Sequence, residues 1–181
     1  MRVVAGALGG RVLRAPSGRD TRPTSEKVRE AIFNILPDPA GAHVLDLFAG
    51  SGALGIEALS RGAAHATFVD AARPALTALR GNLAALDLAD RATVVAGDAV
   101  AALARLAPAE PYRLVFIDPP YRSELATRAL LALAPAQLAP DAVIVIEHDR
   151  RHLPPDAPGS LLRTDERRYG DTLITFYRAQ P

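Results

Sequence analysis

Cysteine is absent from the 181 residues. No disulfide framework and no cysteine-ligated zinc site is therefore available to this chain. Long apolar runs are missing too: the longest nearly uncharged stretch, residues 129–140, is interrupted by Pro135 and ends on Pro140, well short of the roughly 20 apolar residues that span a bilayer. No membrane-crossing helix is expected. The opening Met1-Arg2-Val3-Val4-Ala5-Gly6 has neither the apolar run nor the small-residue cleavage site of an export signal, so a cytoplasmic location is the expectation. Lysine is nearly missing, with Lys27 the single example among 21 cations. What is present, 49% hydrophobic and 23% charged residues, is the balance of one globular domain with a full core.

The formal net charge is only +1, but it is unevenly spread. Residues 1–30 hold Arg2, Arg11, Arg14, Arg19, Arg22, Lys27 and Arg29 against Asp20, Glu26 and Glu30, so this stretch carries +4 and the remainder −3. The guanidinium fork matches phosphate oxygens better than an ammonium does. Arginine abundance alone equally reflects a GC-rich genome, whereas its clustering points to a polyanionic partner.

From residue 42 onward, short β-branched runs alternate with longer segments of helical period, the pattern of a doubly wound parallel sheet. Residues 43–48, 66–70, 92–96, 114–117 and 142–146 read as five near-continuous buried strands. Between them, Pro74 suits the first turn of a helix over 74–86 in which Leu76, Leu79, Leu83 and Leu86 share a face. Asp98 is placed to cap a helix running to Leu106, and Ser123 one running to about Leu133. Residues 161–169 and 172–177 flank Gly170-Asp171 and predict a hairpin closing the sheet with an antiparallel edge. Upstream, residues 2–5 and 11–14 flank Gly6, Gly9 and Gly10 as a second hairpin. Thr24 or Ser25 then caps a helix with Val28, Ile32, Ile35 and Leu36 on one face.

After the first strand comes Gly50-Ser51-Gly52-Ala53-Leu54-Gly55, a complete G-x-G-x-x-G. By itself the string serves many nucleotide ligands. Asp46, four residues before the first glycine, shifts the reading, because a carboxylate there opposes a pyrophosphate and suits a cationic ligand. S-adenosylmethionine has no phosphate and carries an ammonium and a sulfonium. Asp70 ends the second strand, where an acid accepts both ribose hydroxyls, and Asp98 follows the third, within reach of an adenine edge. Either Asp46 or Asp98 has a plainer role open to it, on loop amides for the first and as a helix cap for the second.

The fourth strand ends in Asp118-Pro119-Pro120-Tyr121. Two prolines fix the backbone and remove two N–H donors, so the Pro119 carbonyl and the Asp118 carboxylate form adjacent acceptors. An exocyclic amine on a nucleobase is a poor nucleophile because its lone pair is delocalised into the ring. Accepting both of its hydrogens localises that lone pair toward a methyl donor. Tyr121 offers a flat face for the base, worth roughly 1–3 kcal/mol in stacking. The expected chemistry is direct in-line transfer to a base taken out of its stack, with most of the rate coming from positioning.

Leu45-Asp46-Leu47-Phe48-Ala49-Gly50-Ser51-Gly52 with Asp118-Pro119-Pro120-Tyr121 resembles the class I S-adenosylmethionine-dependent methyltransferases that act on exocyclic amines. Arg22-Pro23-Thr24 leading into Val28-Arg29-Glu30-Ala31-Ile32-Phe33-Asn34, and the closing Tyr169-Gly170-Asp171-Thr172, resemble the bacterial RsmD family, the 16S rRNA guanine-N2 methyltransferases, over essentially the whole chain. The resemblance implies an α/β, Rossmann-like class I methyltransferase sheet of seven strands with an antiparallel last hairpin, preceded by an N-terminal β-hairpin and helix. It implies S-adenosyl-L-methionine as cofactor and, as partner, 16S rRNA in an assembling or assembled small ribosomal subunit, with a guanine of the 966 type as target.

Residues 1–40 are accordingly expected to form a basic RNA-recognition extension, and residues 41–181 the methyltransferase domain. The expected catalytic residues are Asp118, Pro119, Pro120 and Tyr121. Asp46, Phe48, Gly50, Ser51, Gly52, Asp70, Asp98 and Ala99 are expected at the cofactor, and Arg11, Arg14, Arg19, Arg22 and Thr24 at the RNA. No metal is implied, since His43, His65, His148 and His152 show no ligand spacing. A DNA adenine-N6 methyltransferase shares the Asp-Pro-Pro-Tyr string but generally needs an added recognition module, and only about 40 residues precede the catalytic fold. A dinucleotide-dependent reductase leaves Asp46 and Asp118 without roles; a non-catalytic RNA-binding factor would have no use for Asp118 and Tyr121.

Overall fold

Apolar residues crowd β1 (His43–Leu47), β2 (His65–Asp70) and β4 (Tyr112–Ile117), and most residues of these three strands are buried. Such strands must be covered on both faces, which requires helices between them. The computed structural model, which describes residues 1–17, 25–120 and 124–180, has that arrangement. Seven strands form one sheet in the order β3 (Ala92–Ala96), β2, β1, β4, β5 (Leu138–Asp149), β7 (Thr172–Ala179), β6 (Leu161–Tyr169). The first five are parallel, and β7 enters antiparallel between β5 and β6. Arg19, Arg22, Thr24, Tyr121 and Ser123, all named from the sequence, lie outside the described residues.

Alternation along each strand divides the core into two layers. Val44, Phe68, Phe116 and Val145 meet α1 (Glu26–Ile35), α2 (Ala53–Ser60) and α3 (Arg73–Ala85) through Phe33, Leu59 and Leu79. Leu45, Leu47, Val69 and Ile117 meet α4 (Ala99–Leu103) and α5 (Leu125–Ala132) through Leu103, Ala129 and Leu130. Phe33 and Phe116 rings lie 5.7 Å apart at 46°, a tilted contact between two side chains whose burial contributes roughly 1.5–3 kcal/mol each.

Several boundaries differ from the sequence expectation. β3 is only partly buried because it is the outermost strand. β5 reaches from Leu138 to Asp149, since pairing with β7 carries it three residues past Ile146, to Asp149 opposite Thr172. α4 stops at Leu103 rather than Leu106, and α5 starts at Leu125 with Glu124 at the N-cap. Ser25 caps α1 by accepting from the Val28 N–H, but Ile35 is 38% exposed and is not on the packed face. The N-terminal hairpin narrows to a single bridge, Arg2 opposite Val12, flanked by bonds between Val3 and Arg11 and between Leu13 and Met1.

Candidate active site at the strand ends

The strand order reverses between β1 and β4, both of which start their connections from adjacent positions but run to opposite sides. In open α/β sheets the crevice at such a reversal, outside the carboxyl ends of the strands, receives the ligand. The glycine loop follows β1 on one side of this crevice. Asp118 follows β4 on the other, with its N–H near the Leu47 carbonyl at 3.5 Å. Asp118 is half-buried, Pro119 buried and Pro120 exposed.

The chain leaves β1 through a strained turn. Phe48 has φ of 59°, a left-handed conformation that costs a bulky side chain energy and marks positions held by their surroundings. Gly50 and Gly52 follow at φ of 58° and 80°, and an added Cβ on Gly52 would lie 2.4 Å from Leu79 Cδ1. Gly55, one turn into α2, sits so close to β2 that an added Cβ would come within 2.3 Å of the Phe68 ring. The first two glycines thus shape the loop. The third lets the helix rest on the sheet.

The acids expected at the cofactor all have internal duties. Asp46 is 1% exposed, and its Oδ2 accepts the Gly55 N–H at 2.9 Å, one of the donors that a helix start leaves unsatisfied. Burial pushes its pKa up to about 8, against the Gly55 hydrogen bond and with a smaller push from Asp70. Asp70 accepts from Gly50 N–H and from Ala72 N–H, each at 2.8 Å, one on each carboxylate oxygen. It thereby ties the end of β2 to the glycine loop and to the start of α3. Each oxygen keeps a second lone pair, so the carboxylate still has room for hydroxyl donors. Asp98 is exposed and caps α4 by accepting from Ala101 N–H at 2.8 Å; Ala99 behind it is buried. Among the described residues no three His, Asp or Glu side chains are grouped to hold a metal ion, and no helix is long and apolar enough to cross a membrane.

The family described as Conserved hypothetical protein 95 has a profile that matches residues 1–178. The chain belongs to this family, the RsmD family. YlbH of Bacillus subtilis is 45% identical, with 98% of each chain covered. Ribosomal RNA small subunit methyltransferase D of Escherichia coli K12 is 37% identical, over 99% of this chain and 90% of that protein. The solved structure of yhhF from Escherichia coli superposes with a TM-score of 0.86 at 36% identity, covering 99% and 98% of the two chains. The seven-stranded sheet with its inserted antiparallel β7 is the class I methyltransferase fold.

Two residues of this RsmD-family chain that carry the layout were not picked out from the sequence. Glu57 of α2, fully buried, accepts from Val4 N–H and Ala5 N–H at 2.7 and 2.9 Å and from Arg61 Nε at 2.9 Å. Arg29 of α1, equally buried, lies 3.5 Å from it and donates to the Arg2 carbonyl. Arg29 therefore leaves the exposed basic patch, in which Arg2, Arg11, Arg14 and Lys27 remain among the described residues. The second residue is Asn82 of α3, 2% exposed, which bonds both Ser51 and Arg14. The signal for both was available: each is a polar residue among apolar ones, in Ala53-Leu54-Gly55-Ile56-Glu57-Ala58-Leu59 and beside Leu79 and Leu83.

Proposed function

We propose that the chain methylates small-subunit rRNA, transferring a methyl group from S-adenosylmethionine to N2 of a guanine, of the 966 type by family resemblance. The observation that carries this reading is the pairing, across the β1/β4 reversal, of a glycine loop whose helix start gives its Gly55 N–H to Asp46 with the Asp118-Pro119 turn. An anionic pyrophosphate would find one donor of that helix start, the Gly55 N–H, already taken by the buried Asp46 carboxyl group. A ligand without phosphate avoids the conflict.

The residues fit such a cofactor. Beside Gly50 an added Cβ would meet nothing nearer than the Phe48 carbonyl at 4.0 Å, so the backbone there is open to close approach. Asp70 would take the ribose hydroxyls on its remaining lone pairs, Asp98 and Ala99 the adenine, and the loop from Phe48 to Gly52 the amino-acid end near Asp46. When bound, S-adenosylmethionine supplies an electrophilic methyl group. Asp118 and the Pro119 carbonyl would accept the two amine hydrogens of the target base, with Pro120 holding the turn and Tyr121 stacking on the ring. The Asp118 carboxylate also stabilises the positive charge that develops on the amine. Arg11 and Arg14, with Arg19, Arg22 and Thr24, are assigned to the RNA.

Nucleoside mass spectrometry of 16S rRNA from a deletion strain should show loss of one N2-methylguanosine, restored by the wild-type chain. Asp118→Ala should restore none while binding S-adenosylmethionine within a few fold of wild type. An equal collapse of cofactor affinity would move Asp118 to the cofactor side and end this mechanism.

A further inference from the structure

Asn82 stands between the two halves of the proposed site. Its amide nitrogen donates to the Ser51 carbonyl at 2.9 Å, in the middle of the glycine loop, and to the Arg14 carbonyl at 3.0 Å. Its Oδ1 accepts the Arg14 N–H at 2.8 Å. The side-chain amide thus pairs with both backbone groups of Arg14 as a neighbouring strand would, and spends its other hydrogen on the cofactor loop. Asn82 is 2% exposed; its bond to Ser51 is buried and its bonds to Arg14 are partly so. One turn further along the same helix, Arg11 donates to the Ala85 carbonyl at 3.3 Å, so residues 11–14 are laid along α3. Met1 completes the contact from the other end, with its sulfur 3.7 Å from Ser51 Oγ and 3.8 Å from Arg29 Nη1.

We propose that Asn82 is a positioning residue that couples the cofactor loop to the RNA-side segment, so that ligand binding on either side strengthens binding on the other. This coupling rests on the assignment of the glycine loop to S-adenosylmethionine and of Arg11 and Arg14 to RNA. A backbone segment that a ligand must order costs conformational entropy. When one amide holds both segments, ordering the first places the amide correctly for the second, and that cost falls for the second ligand. Linkage then requires the effect to be equal in both directions. Asn82 touches neither ligand in this scheme. Glu57 and Ser60 hold residues 4–8 against α2, but their bonds run to that segment and not to the glycine loop.

The test measures binding of S-adenosylhomocysteine, an unreactive probe, with and without small ribosomal subunits from a deletion strain. For the wild-type chain the subunits should tighten binding of the probe by about fivefold or more, the lower range of ordinary coupling. Asn82→Asp is isosteric, keeps the acceptor for Arg14 N–H and loses both donors; its coupling should fall to within about twofold of none. Asn82→Ala should do the same, and thermal unfolding of each variant identifies any loss that comes from misfolding. A residue with only a structural role would lower melting temperature and leave the ratio of the two affinities unchanged. That outcome, or a wild-type ratio of one, overturns the proposal. Failure of the wild-type chain to bind the subunits at all would overturn the RNA assignment and the coupling with it, whereas normal binding with unaltered coupling in Asn82→Asp overturns the coupling alone.

Discussion

At the scale of single residues, Asp46 shows how a carboxyl group serves the loop above it. It is sealed under α2 with one backbone donor, and burial holds its pKa up to about 8 against an ordinary value of 3.8. The folded state therefore keeps a proton that the unfolded chain has released. Stability from this group is fully present below about pH 4 and is lost as pH rises toward and through 8. In the cofactor-free protein, unfolding free energy should fall by up to about 1.4 kcal/mol per pH unit across that window. Asp46→Asn keeps an acceptor for Gly55 N–H and cannot titrate, so its stability curve should be flatter than wild type between pH 4 and 8. Urea unfolding at several pH values decides it, and parallel curves would mean that Asp46 is ionised in the fold. From the sequence, the acids were legible as a set because Asp46 lies in the first strand just before the glycine loop, Asp70 ends the second strand and Asp98 follows the third. Their bonds to Gly55, Gly50, Ala72 and Ala101 were not, since those depend on where the loop turns in space.

At the scale of elements, α2 is the member that joins the N-terminal segment to the sheet. Glu57 receives two backbone N–H groups from residues 4 and 5 and lies between Arg29 and Arg61. Burial lowers the Arg29 pKa and the adjacent Glu57 carboxylate opposes that shift. Removing one charge from such a pair leaves the other buried and uncompensated, at a cost of about 3–5 kcal/mol. Glu57→Gln should lose that much in urea unfolding, and Glu57→Gln with Arg29→Met should recover a large part of it. If the double variant is no more stable than the single, the damage comes from the Val4 and Ala5 N–H groups, left with a weaker acceptor. Periodicity located every helix and strand of the methyltransferase sheet that it claimed, because buried strands and leucine stripes are local patterns. It overstated the N-terminal hairpin for the converse reason. Those residues bond mainly to α2, with Gly6 at φ of 81° pressed so close to Ser60 that a Cβ would overlap its carbonyl, and nothing in a short glycine-rich string announces a docking partner over 50 residues away.

At the scale of the molecule, the net charge of +1 hides a local field. The strand order was not readable from periodicity, because alternation along a strand carries no information about which strand lies beside it. The charge asymmetry was readable, and the fold refines it by burying Arg29 while leaving Arg11 and Arg14 exposed. Both are tied to α3, Arg14 through its backbone by Asn82 and Arg11 through its guanidinium on the Ala85 carbonyl. Fixed cations on an exposed segment suit a phosphate backbone, where each neutralised phosphate releases condensed counterions. Replacing Arg11 and Arg14 together by Gln should therefore reduce the slope of log affinity for rRNA against log salt by about 0.7–0.9 for each phosphate no longer neutralised. Affinity for S-adenosylmethionine in the absence of RNA should stay at the wild-type level, since neither guanidinium bonds the glycine loop. A solvated face with no nucleic-acid role predicts no change in either measurement. A double variant that keeps the wild-type salt slope would remove these two arginines from the RNA interface and leave the recognition of rRNA to other parts of the chain.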